Sequence, residues 1–105
     1  MVKEFQELKP ETQRILREIK KVPYGQVSSY RDIAVRAGLI NGARQVARAL
    51  HGLSEIHQLP WWRIIRSDGT IGMHGEGRME QIRLLKLEGF EVTDSGKVKQ
   101  KIDHK

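Results

Sequence analysis

The chain has 105 residues, 38% hydrophobic and 6% aromatic, enough for one small domain with an aliphatic core and too few for two. It contains no cysteine, which excludes disulfides and thiol chemistry, and no apolar run approaches the ~20 residues needed to span a bilayer. Nineteen Lys plus Arg against 13 Asp plus Glu leave a net charge of +6. Between Ile33 and Ser67, five arginines (Arg36, Arg44, Arg48, Arg63, Arg66) accompany a single acid, Glu55. Gathered on one face, such a stretch attracts a polyanion, but a generally basic soluble protein would carry the same charge, so charge alone names no partner.

Met1 to Leu8 lacks the apolar core of a signal peptide, and a soluble intracellular protein with no membrane partner is expected. Pro10 can open a helix, and Ile15, Leu16, Ile19 and Val22 recur at near-helical spacing, predicting a first helix over 10–21. Ser29 with Asp32 three residues on predicts the capped start of a short second helix, with Ile33, Ala34 and Ala37 buried and Gly38 at its end. Asn41 is a good N-cap for a third helix over 42–51, whose stripe is Ala43, Val46, Ala47 and Leu50 and whose stop is Gly52. Two short helices so closely joined suggest a helix-turn-helix with 42–51 as its recognition helix.

Leu53 to Leu59 shows no clear period and reads as loop. Trp62 to Arg66, a Ser67-Asp68-Gly69 turn and Thr70-Ile71 read as a hairpin wing. Gly72 to Gly77 has three glycines and is expected to be a loop. A last helix, Arg78 to Glu88, would bury Met79, Ile82, Leu84 and Leu85 and end at Gly89. Glu91-Val92-Thr93 and Lys97-Val98-Lys99 suggest a second hairpin, and 100–105 a frayed basic tail. The expected architecture is mainly α, a single winged helix-turn-helix domain over 1–105 with a small β-hairpin wing.

His51, His57, His74 and His104 lack zinc-ligand spacing, so no metal is expected. Gly72 to Gly77 lacks the Lys-Ser/Thr pair of a phosphate loop, and no G-x-S-x-G is present. No cofactor is expected.

Three blocks in order carry a resemblance: Val22-Pro23-Tyr24-Gly25-Gln26-Val27-Ser28-Ser29-Tyr30, Gly42-Ala43-Arg44-Gln45-Val46, and Pro60-Trp61-Trp62-Arg63 running on to Gly72. Together with Glu88-Gly89, they resemble the DNA-binding domain of the DNA alkylguanine alkyltransferases from about Phe5 to Val92. Trp61 stands where that family keeps its alkyl-accepting cysteine, and an indole is no comparable nucleophile. The chain is therefore similar to the alkyltransferase-like branch. Membership implies binding of duplex DNA through the minor groove and eversion of an O6-alkylguanine that is held without alkyl transfer.

The resemblance also assigns residues. Arg44 matches an arginine that enters the duplex and fills the gap left by the flipped nucleotide. It has no acid three or four residues away to pair with instead. Tyr30 matches a tyrosine set against the phosphate of that nucleotide, and Gln45, Arg48 and His51 complete the expected DNA-binding set. Trp61, Trp62, Arg63, Ile64, Met73, His74 and Gly75 are expected at the pocket for the alkylated base, with Trp61 as its floor. Trp62 replaces the family's histidine, the base that activates the thiol, and Glu88 matches the acid that orients it. Without that chain, Glu88 is expected to be a structural acceptor or a surface residue. Leu53 replaces an asparagine common in the transferases.

The resemblance further implies a monomer that marks lesions for nucleotide excision repair proteins, acting in the cytoplasm at the nucleoid of a prokaryote or in the nucleus of a eukaryote. The alternative in the binding class is a winged-helix transcriptional regulator of undamaged DNA, which would need more base-reading side chains on its recognition helix than Asn41, Arg44, Gln45 and Arg48. An active transferase would need another alkyl acceptor.

Overall fold

The computed structural model describes residues 4–99, so the predicted tail at 100–105 lies outside the described residues. Helix α1, Pro10–Lys20, starts with proline where a backbone N–H would have no partner, and buries Ile15, Leu16 and Ile19. Strand β1, Ser28–Ser29, leads directly into helix α2, Tyr30–Arg36. Ser29 caps α2 as predicted, its hydroxyl accepting the Asp32 N–H at 3.0 Å. At the other end Gly38 adopts φ +78, and the Leu39 N–H reaches the Ala34 carbonyl at 2.9 Å, the six-to-one bond of a Schellman end.

Helix α3, Ala43–His57, is longer than predicted at its C-terminal end, and the predicted loop 53–59 is mostly helix. Gly52 does not stop it. A mid-helix glycine costs only about 1 kcal/mol, while Val46, Ala49, Leu50 and Leu53 continue the packed stripe past it. The stop comes at Gln58, left-handed at φ 52, where the Leu59 N–H bonds to the Ser54 carbonyl at 2.9 Å and Leu59 is buried. Asn41 is not the N-cap: it too is left-handed, at φ 55, and Gly42 takes the capping position. A Cβ on Gly42 would lie 2.7 Å from the Leu39 Cβ and 3.2 Å from the Ala34 Cβ, so this turn between α2 and α3 demands glycine.

Helices α1, α2 and α3 enclose the larger core, which also takes Leu59 and the fully buried Ile64. The predicted wing from Trp62 to Ile71 is replaced by other pairings. Trp61–Arg63 is a 3-10 turn, and strand β2, Ile64–Ile65, pairs in parallel with β1, Ser28 opposite Ile64 and Ser29 opposite Ile65. The turn itself forms, with the Arg66 N–H donating to the Thr70 carbonyl at 2.9 Å, but residues 69–71 pair onward with 96–98. That segment belongs to the second predicted hairpin, which is present as strands β3, Glu91–Val92, and β4, Val98–Lys99.

Helix α4, Gly75–Leu87, starts three residues before its predicted first residue and takes up the second half of the expected glycine loop. Its buried line is Gln81, Leu85 and the C-cap Glu88, while Met79 is exposed, contrary to expectation. Position 79 falls off that line because 81, 85 and 88 recur at spacings of four and three. Ile71, Leu85 and Phe90 centre a smaller core with Trp62, Met73 and Ile82 packed against it. The whole is mainly helical with a helix-turn-helix and small paired strands. Among the described residues no helix is long and apolar enough to cross a membrane.

Candidate nucleic-acid interface

Between α3 and the segment after β2 lies a cleft of about 610 Å³, lined by Tyr30, His51, Trp61, Met73 and Gly72, with Ala47, Leu50, Ser54 and Glu55 along the α3 side. That volume suits a small-molecule or nucleobase guest. The Trp61 turn is built locally: the Trp61 N–H donates to the Leu59 carbonyl at 2.8 Å and the Arg63 N–H to the Pro60 carbonyl at 3.1 Å. From α4, the fully buried Gln81 holds the same turn. Its amide nitrogen donates to the carbonyls of Trp62 and Ile64, each at 3.1 Å. The Trp61 ring lies against the larger core, so one part of it is anchored while it also borders the cleft.

Trp62 does not line this cleft. Its ring meets Trp61 edge-on, centroids 6.1 Å apart at 89°, and packs on the smaller core. Its indole N–H donates to Glu88 at 2.6 Å. Glu88 is a buried acceptor rather than a surface residue, taking also the Gly25 N–H at 2.7 Å and an ion pair with Arg63 at 2.9 Å. Burial pushes its carboxyl pKa up, but hydrogen bonds from Arg63, Gly25 and Trp62 and the charge of Arg63 outweigh that and hold it below the usual value. Arg63 is spent on this knot: a second guanidinium nitrogen donates to the Val22 carbonyl at 3.0 Å, and the group lies 5.2 Å from the Trp62 ring centroid.

Of the other residues assigned to the pocket by sequence, Ile64 is fully buried in the larger core, His74 is exposed as the N-cap of α4, and Gly75 is exposed as its first residue. Met73 borders the cleft. The expected DNA-binding residues divide likewise. Tyr30 and His51 reach the cleft, while Arg44, Arg48 and His51 are exposed and share one outward line of α3 at spacings of four and three. Gln45 is turned toward α1, where with Arg48 it borders a separate groove near Lys9 and Thr12. Arg44 borders a groove under the α2–α3 turn with Arg31 and Ser67. Burial raises the Tyr30 phenol above its ordinary pKa against the opposing pull of Arg66, so its hydroxyl stays protonated and available to donate.

The cleft residues not among the expected site are Gly72 and, on the side of α3 that continues beyond Gly52, Ala47, Leu50, Ser54 and Glu55. The signal was there in Leu53, three residues after Leu50, which extends the stripe. Gln81 carried no such signal, since a glutamine in a helix is ordinarily solvated.

The family described as 6-O-methylguanine DNA methyltransferase, DNA binding domain, matches residues 10–90. The chain is 41% identical to a DNA base-flipping protein of Vibrio parahaemolyticus over 85 residues, 81% of this chain and 85% of that one. It is 39% identical to Alkyltransferase-like protein 1 of Schizosaccharomyces pombe over 74 residues, 69% of this chain and 68% of that one. The crystal structure of S. pombe Atl1 in complex with damaged DNA containing O6-carboxymethylguanine superposes with TM-score 0.74 at 32% identity, covering 89% of this chain and 90% of that one. With Trp61 and Trp62 at the head of its cleft segment and no cysteine anywhere, the chain belongs to the 6-O-methylguanine DNA methyltransferase family, as a DNA-binding domain of the alkyltransferase-like kind.

Proposed function

We propose that this protein recognises O6-alkylguanine in duplex DNA by everting the damaged nucleotide into the cleft bordered by Trp61, and holds it there without chemistry. The observation that carries the reading is the cleft itself: it is large enough for a base and has a flat indole on its wall where a thiol would act. Stacking on such a ring contributes about 1 to 3 kcal/mol per base. The cleft hydroxyls offer no ready substitute for the thiol, because the Tyr30 phenol is kept protonated and the Ser54 hydroxyl donates to the Leu50 carbonyl. Relatives named for base flipping, and one solved with damaged DNA, support the same reading.

Entry would begin with the exposed line of α3 in the minor groove. Arg44 enters the stack as the nucleotide leaves, and Tyr30 meets the phosphate of the leaving nucleotide. Eversion costs a few kcal/mol of unstacking, least at a weakened pair, so a damaged pair is favoured before any cleft contact forms. A protein that holds a lesion without removing it serves a later step, and hand-over by a monomer to nucleotide excision repair proteins is the partner reading we propose. It would act where the genome lies, at the nucleoid or in the nucleus.

Titration of matched duplexes with and without one O6-methylguanine, followed by intact-mass analysis of the protein, tests the reading. Preference for the lesion with no mass gain is expected. Equal affinity for both duplexes, or a protein heavier by one methyl group, would overturn it.

A further inference from the structure

The parallel pairing of β1 with β2 has a consequence one residue beyond its last pair. Ser29 lies opposite Ile65, so Tyr30 and Arg66 leave the two strands side by side, and Arg31 and Ser67 follow them to border the groove beneath the α2–α3 turn. The two side chains converge on Gly72. A Cβ placed there would lie 3.3 Å from the Arg66 Nε, 3.5 Å from the Arg66 Cγ and 3.5 Å from the Tyr30 Cε2. Gly72 itself borders the Trp61 cleft. The exposed Arg66 thus lies beside the cleft, its stem laid across a glycine that leaves room for it.

The charge of Arg66 is also uncommitted. Among the described residues no carboxylate lies within ion-pair distance of it. Asp68 feels the charge of Arg66, but its carboxylate is occupied by the Thr70 N–H at 3.0 Å and the Thr70 hydroxyl at 2.6 Å. Arg63, on the other side of the two-residue strand β2, shows the opposite state, being partly buried in its ion pair with Glu88. A cation beside a phenol that remains a donor offers an anion two different donors at the ends of paired strands, and guanidinium binds phosphate oxygens in paired fashion.

We propose that Arg66 and Tyr30 form one composite seat for a phosphate flanking the everted nucleotide, making Arg66 a positioning residue for eversion rather than one more charge on a basic face. The proposal rests on the reading of the Trp61 cleft as the receptacle for the base. Holding that phosphate against the rim turns the attached sugar and base inward, whereas a charge acting at long range would favour every DNA complex alike.

The test uses the full chain with Arg66→Gln, Arg66→Lys, Tyr30→Phe and the Arg66→Gln/Tyr30→Phe double variant. Lesion and matched undamaged duplexes are titrated at several salt concentrations, and a fluorescent base analogue opposite the lesion reports eversion. Single methylphosphonate linkages replace each phosphate flanking the lesion in turn. We expect Arg66→Gln to lower the salt slope by about 0.9, the value for one lost phosphate contact, and to weaken lesion binding more than undamaged binding. Eversion should fall with it, the double variant should lose less than the product of the single losses, and one of the two neutral linkages should abolish the difference between wild type and Arg66→Gln. Arg66→Lys should restore the salt slope and only part of the eversion.

Equal losses on both duplexes with eversion intact, multiplicative losses in the double variant, or insensitivity to both neutral linkages would overturn the composite seat while leaving the cleft reading in place. If the wild-type protein itself shows neither eversion nor lesion preference, the cleft reading falls and the seat with it. Unchanged melting temperatures in all variants are expected, since Arg66 is exposed and Tyr30→Phe keeps the half-buried ring that packs on the larger core.

Discussion

Trp61 and Trp62 are neighbours in the chain with rings in edge-on contact, yet they belong to two unlike regions. Trp61 borders an open cleft shared with Tyr30, Gly72 and Met73 and with the α3 side chains from Ala47 to Glu55. Trp62 belongs to a closed knot in which the buried Glu88 accepts from the partly buried Trp62, Arg63 and Gly25. The knot keeps the acid that a transferase would use to orient its base, but gives it an indole N–H, which donates a hydrogen bond and cannot take up a proton. The same motif thereby supplies an adaptable surface at one residue and a fixed brace at the next.

If that division is right, the largest effect belongs to the brace. Glu88→Ala should destabilise the protein by about 3 to 5 kcal/mol, because it leaves Arg63 half-buried and unpaired and takes away the acceptor of two further donors. Chemical denaturation measures this; a loss below about 1 kcal/mol would mean that the knot is not a brace. Glu88 also sets a pH dependence. Its carboxyl is held below the usual value in the folded chain, so its contribution is full above the unfolded carboxylate pKa and is lost as pH falls through the lower folded one. The acid limb of the wild-type stability profile should therefore be shallower in Glu88→Gln.

A chemical test separates the two tryptophans. Trp61→Cys places a thiol at the cleft but leaves Trp62 on Glu88, and no appreciable methyl transfer from O6-methylguanine DNA is expected. Adding Trp62→His should raise transfer by about 100-fold or more, the usual contribution of a positioned general base. Intact-mass kinetics with both variants decides, and efficient transfer by Trp61→Cys alone would show that some other group activates the thiol.

On the cleft side, Trp61→Ala should weaken lesion binding by about 1 to 3 kcal/mol while changing binding of undamaged DNA little. Arg44→Ala should lose a comparable amount and should lose eversion too, whereas Arg36→Ala, an equal change of charge on α2, should lose less of both. Titration of all three on both duplexes measures the contrast. The smallest effect concerns the frame that carries the cleft: Gly52→Ala should stabilise the protein by about 0.5 to 1 kcal/mol, since the position is helical and an added methyl meets nothing within 4 Å. Destabilisation would mean that α3 does not run through it.

What the residues revealed in advance, and what they hid, follows the range of the forces involved. α1 and the Ser29 cap of α2 were legible because proline, serine and apolar spacing act within one turn of their own positions. The end of α3 is not legible at Gly52, because packing by Leu53 carries the helix past the glycine and a left-handed Gln58 sets the real end. The wing was misplaced because alternation and a turn signal cannot say which strand a segment pairs with, and Ile64–Ile65 chose Ser28–Ser29, far away in sequence. At the site, the motif located Trp61 and Tyr30, but the fate of Trp62 depended on an acid 26 residues downstream, and the convergence of Arg66 on Gly72 on a strand register invisible locally.

The most direct measurement places an environment-sensitive base analogue opposite a single O6-methylguanine and follows its fluorescence as protein is added. An everted lesion leaves its partner unstacked and bright, so wild-type protein should produce a saturable rise that is absent from the undamaged duplex and reduced in Arg44→Ala. Saturated binding with no rise at the lesion, or the same rise on undamaged DNA, would contradict recognition by eversion into the Trp61 cleft.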